Sequence, residues 1–130
     1  MKTKLLFIFL FSICTLWQTV TSAQSIAGGD FHSLAICIDS TVRAWGRNDY
    51  DQTNVPAGLN NVVAVAAGEY HSLALKNDGT VVAWGDNQYG QSTVPAGLSN
   101  VVAVAGGQRH SLALVVAAQP RLGFGSSNPL

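Results

Sequence analysis

Val62 to Leu98 reads VVAVAAGEYHSLALKNDGTVVAWGDNQYGQSTVPAGL, and this stretch decides the fold. Most of the chain repeats it. His32, His71 and His110 are evenly spaced, and the same interval separates Trp45 from Trp84. Val55-Pro56-Ala57-Gly58-Leu59 returns after that interval as Val94-Pro95-Ala96-Gly97-Leu98. A fixed period of this size marks stacked units, each too small to bury its own apolar surface.

Inside the unit, Asp78-Gly79 separates two apolar runs. Asp-Gly signals a tight hairpin, since a two-residue type I′ turn needs positive φ at both central positions. A turn there pairs Asn77 with Thr80 and sets Leu75 opposite Val82, Leu73 opposite Trp84 and Ser72 opposite Gly85. That register predicts one large face (Leu73, Leu75, Val82, Trp84) and one small face (Ser72, Ala74, Ala83, Gly85). In copy one it sets Ile36 opposite Arg43. Neither face of the complete copy carries a charge, unlike the apolar-polar alternation of a sheet with one wet side. Such a sheet fits between neighbours, as a propeller blade does. Val62 to Ala67 supplies a further strand, and Gly68 ends it. Asn87 to Leu98 reads as a loop with room for a short outer strand. The expectation is an all-β, partial β-propeller of two to three blades, each an antiparallel sheet of three to four strands.

These residues resemble the repeat of the regulator of chromosome condensation family. The resemblance rests on Gly68, His71, Ser72, Ala74, Leu75, Trp84, Gly85, Gly90 and Gln91, and it covers about Ser25 to Leu114. The short blade with its Val-Pro-Ala ending is similar to secreted bacterial relatives, including a β-lactamase inhibitory protein. The resemblance implies an open arc of a seven-bladed ring. A full ring of such units would need more than twice the 130 residues present.

Residues 1–23 read as a secretory signal. Lys2 and Lys4 precede the apolar run Leu5 to Trp17, which falls short of the ~20 residues of a membrane span. Thr21-Ser22-Ala23 is a small-residue cleavage site. The expectation is a secreted or periplasmic product starting at Gln24, with no membrane attachment after cleavage. An uncleaved anchor is the competing reading. The repeats then divide into 24–61, 62–100 and an incomplete 101–114. Beyond Leu114 the Asn-Asp-Gly turn and the third Trp-Gly are missing, and 115–130 reads as a divergent, disordered tail. Three explanations stay open: a fragment of a longer gene, a ring of several copies, or a relic. Exposed blade faces make self-association an expected consequence.

Only Cys37 remains after the leader, so no internal disulfide forms. Charged residues make up 11% of the chain and formal net charge is zero. With no basic stripe, nucleic acid is not an expected partner.

The histidines invite a metal or catalytic reading. Equivalent positions in adjacent blades lie a sheet spacing apart, ~10 Å, too far to share an ion bound at ~2 Å. A structural role, with each His bonded to nearby backbone, is expected instead. Ser33, Ser72 and Ser111 follow the histidines directly, so each points to the opposite face from its neighbouring His. That geometry defeats a serine-hydrolase reading. Gly28-Gly29 and Gly106-Gly107 precede no helix and form no phosphate loop. No catalytic residue, cofactor or metal ligand is expected.

What varies between copies lies on loops. Phe31, Glu69, Tyr70 and Arg109 precede the histidines, while Arg47 and Asp86 follow the Trp-Gly dipeptides, and Tyr50 and Tyr89 recur within the same variable loops. Loop aromatics make good contact residues. The expected function is therefore a protein-interaction module. Two alternatives are a propeller enzyme with its catalytic groups in missing blades, and a nucleotide-exchange-like regulator.

Overall fold

The computed structural model describes residues 25–117. Expectations for the leader and for the tail from 118 onward lie outside those residues. Within them there are eight strands and no helix. Blade 1 holds β1 (Ile26–Gly28), β2 (His32–Ile36) and β3 (Val42–Gly46). Blade 2 holds β4 (Val62–Ala67), β5 (His71–Lys76) and β6 (Val81–Gly85). Blade 3 holds β7 (Val101–Gly106) and β8 (Ser111–Val115). Each blade is a separate antiparallel sheet in chain order, as in a partial propeller of about three blades. The first two sheets have three strands and the third has two among the described residues. The Asn87 to Leu98 segment contributes no outer strand.

The hairpin turn differs from the expected one by a residue. Lys76 N donates to Thr80 O (2.9 Å) and Gly79 N donates to Lys76 O (3.0 Å). The loop is thus Asn77-Asp78-Gly79, with positive φ only at Gly79 (78°). This is the three-residue hairpin, a type I turn followed by a left-handed residue. Asp78 favours it chemically: Oδ1 accepts both Thr80 N (3.0 Å) and Thr80 Oγ1 (2.6 Å). Copy one repeats the device with Asp39 and Thr41, placing Ser40 at φ 62°.

One residue in the turn moves every cross-strand pair. Leu75 faces Val81, Leu73 faces Ala83 and Ser72 faces Trp84. The expected split into a large and a small face is therefore wrong. Leu73 and Trp84 lie on opposite faces, and each face mixes sizes. Trp84 shares its side with Ser72, Ala74 and Val82, and that side packs on blade 1. His71, Leu73, Leu75, Val81 and Ala83 turn toward blade 3. In copy one, Ile36 opposes Val42, and Arg43 points to the outer side opposite Ala35.

Stacking explains the burial pattern. From His71 to Leu75 every residue of β5 is buried, because a blade covers each side. Strand β2 alternates buried with half-buried, because blade 2 covers one side only. Four of the five β8 residues are exposed. The main core lies in the first seam, where Leu34, Ile36 and Val42 meet Val65, Ala74 and Trp84. The blades are also laced by backbone: Val62 N donates to Ser40 O (3.0 Å) and Val101 N to Gly79 O (3.1 Å). Each hairpin turn thereby docks on the start of the next blade.

Candidate recognition surface

The loops before each His and after each Trp-Gly emerge at the same end of their blade. Arg47 N donates to Phe31 O (2.8 Å) and Asp86 N donates to Tyr70 O (2.9 Å), fastening the two loops together. Glycine is needed at the join. Gly85 has φ 98°, and a Cβ there would sit 2.6 Å from Tyr70 O.

Beyond the join, a buried glutamine shapes the loop. Gln52 is fully buried, and its Oε1 accepts Tyr50 N (2.9 Å). Gln91 does the same for Tyr89 N (2.8 Å). With the amide turned inward, the tyrosine ring is left outside: Tyr50 is 40% and Tyr89 61% exposed. Asn48 and Asn87 close the loops by accepting Thr53 N and Ser92 N.

All eight candidate residues fall into one patch. Phe31 stacks on Tyr70 (centroids 5.5 Å, planes at 16°), and Tyr50 leans on the same ring at 4.8 Å. The Arg47 guanidinium lies 5.2 Å from the Phe31 centroid and 5.6 Å from that of Tyr70, while its Nε pairs with Asp49. On the far side, Arg109 lies 4.9 Å over Tyr89, donates to its hydroxyl (3.2 Å) and faces Glu69 at 3.8 Å. Between the two groups is a small cleft of about 80 Å³, bordered by Tyr50, Tyr70, Glu69 and Asp86. Gln88 and Gln108, which lie on the same variable loops but are not among the candidate contact residues, also border it.

The histidines behave differently from the expectation of backbone partners. His32 Nε2 lies 2.9 Å from Ser72 Oγ, and His71 Nε2 lies 3.0 Å from Ser111 Oγ. Each His therefore reaches the serine of the next blade. Ser72 Oγ donates onward to Gln52 O (2.8 Å), and the same carbonyl accepts Trp84 Nε1 (3.0 Å). Since the hydroxyl proton goes to that carbonyl, His32 must donate through Nε2. A His that donates to Ser is not its base, and Ser72 is fully buried. The chain His-Ser-carbonyl is a seam clamp. Burial pushes both His32 and His71 below the ordinary histidine range, against the smaller pull of Asp30 and of Asp86 respectively. The His71 ring is further opposed by the charge of His32. Among the described residues no group of three or more His, Cys, Asp or Glu could hold a metal ion.

The family model described as the regulator of chromosome condensation (RCC1) repeat matches residues 23–52 and 62–91. These are regulator of chromosome condensation repeats. Solved structures carrying such repeats agree. Prp20p from Saccharomyces cerevisiae, described with its binding to Gsp1p and histones, is 27% identical with a TM-score of 0.59. That match covers 69% of this chain and 28% of Prp20p. Yeast RCC1 (Prp20) bound to Kap60 gives 31% identity and TM-score 0.58, over 68% of this chain and 26% of that one. Human WBSCR16 gives 28% and 0.58, over 70% and 32%. The chain thus spans less than a third of the length of each. No curated protein matches it.

Proposed function

We infer that the chain is a secreted protein-interaction module and that the aromatic patch at its loop end is the contact surface. One observation carries this reading: the eight candidate loop residues, six that differ between repeats and the recurring pair Tyr50 and Tyr89, converge on a single surface above the strand scaffold. Rigid aromatic rings with arginines between them are the side chains that dominate protein contacts. The patch pairs Arg47 with Asp49 and Arg109 with Glu69 and adds the carboxylate of Asp86, a balance suited to a protein rather than a phosphate backbone. That Prp20p binds proteins is in keeping with this class of function. The signal-like residues 1–23 support export.

The test has two parts. Mass spectrometry of the exported product should give Gln24 as the first residue; retention of the leader would overturn export. A partner captured on the immobilised chain should be lost with Tyr50→Ala/Tyr70→Ala and retained with Asn77→Ala at the opposite end. Capture indifferent to the tyrosines would refute the contact surface.

A further inference from the structure

The second seam contains a site that the first seam has already filled. Trp84 sits in a cluster whose walls include Leu34, Val42, Ala44, Val55 and Leu59. One repeat later these become Leu73, Val81, Ala83, Val94 and Leu98, and all five line a groove of about 410 Å³ between β6 and β8. Val65 and Ala74 of that cluster likewise become Val104 and Ala113 of the groove. The polar anchor is duplicated too. Ser111 Oγ donates to Gln91 O (2.7 Å), just as Ser72 does to Gln52 O. The indole that shares the Gln52 carbonyl has no counterpart among the described residues, and the position one repeat after Trp84 is Gly123. Deeper in this seam Leu75 and Val101 are buried.

Beside the groove, β8 pairs only with β7 among the described residues. Its outer edge offers backbone donors and acceptors to an extended segment. We propose that this groove is a docking site for an extended strand from another chain, bearing a tryptophan flanked by Ala and Gly. The occupant's chemistry follows from what occupies the first seam. β-Branched residues keep the strand extended. A small residue precedes the ring, the indole fills the apolar slot, and its N–H donates to Gln91 O. Glycine follows because the corresponding Gly85 has no room for a Cβ against the preceding loop. Strand addition supplies affinity and the slot supplies specificity.

The test is a titration of the full chain into fluorescein-labelled Thr-Val-Val-Ala-Trp-Gly, followed by anisotropy. Saturable binding is expected, weakened at least tenfold by Trp→Ala in the peptide. Replacing the indole by its benzothiophene isostere, which lacks the N–H, should weaken binding several-fold. Ala113→Leu, which fills the groove without disturbing buried side chains, should abolish it while the circular dichroism spectrum is unchanged. Phe31→Ala at the aromatic patch should leave it intact, which separates this site from the proposed contact surface. No saturable binding, equal binding of the Trp→Ala peptide, or full affinity in Ala113→Leu would each overturn the proposal.

Discussion

The histidine is the residue on which the seams turn. Three features of the repeat serve it. Gly68 lies beneath the His71 ring, where a Cβ would overlap the imidazole and approach Gly107 O to 2.5 Å. Ser111 of the next blade accepts the Nε2 hydrogen bond, and burial keeps the ring neutral. Gly68→Ala should therefore displace the ring and lower stability by about 2–3 kcal/mol in urea unfolding, on the scale of core overpacking. Ser72→Ala leaves the buried His32 donor unpaired and should cost about 1–3 kcal/mol. The lowered pKa of both rings has a definite sign. Below about pH 6.5 the unfolded chain takes up protons that the folded chain refuses, so stability falls as pH drops through that value. The melting temperature should be lower at pH 5.5 than at pH 7.5, and the difference should shrink in His32→Gln/His71→Gln. Asp39 and Asp78, lowered chiefly by hydrogen bonds from Thr41 and Thr80, contribute their own loss only in more acid solution. The recurrence of Gly, His and Ser was legible in the sequence. Their bonding was not: a period gives equivalent positions, and the partner in the following repeat is reached only by stacking.

At the scale of the element, the hairpin carries the lesson. Asp-Gly located the turn correctly, and the strands it joins follow from composition. The register did not follow, because the choice between a two-residue and a three-residue turn depends on a side-chain contact, Asp78 to Thr80. That one-residue shift exchanged the sides of Trp84 and Leu73, and with them the expected large and small faces. Copy one offers the check. Ser40 occupies the left-handed position that Gly79 fills in copy two, a conformation that costs a side-chain-bearing residue about 1 kcal/mol. Ser40→Gly should thus raise stability by up to about 1 kcal/mol, seen as a higher denaturant midpoint with an unchanged slope. A lower midpoint would mean that the hairpin uses another turn.

For the whole molecule, the repeat period foretold blades that stack, and the two seams bear that out unequally. The first is filled by Trp84, while among the described residues no side chain fills the matching place in the second. The outer sides remain apolar. Ile26 and Trp45 are exposed on blade 1, and Leu112 and Leu114 on blade 3. Gathering of the loop residues at one end was visible from their shared repeat positions, but the stacking of Phe31, Tyr70 and Arg47 was not, since it joins neighbouring blades. The claim on which all of this rests is that Trp84 is sealed between two blades with its N–H on the Gln52 carbonyl. Hydrogen exchange of the indole N–H groups, followed by NMR with Trp84→Phe for assignment, tests it directly. The Trp84 indole should exchange far more slowly than that of Trp45, which is 54% exposed. Equal and rapid exchange of the two would contradict it.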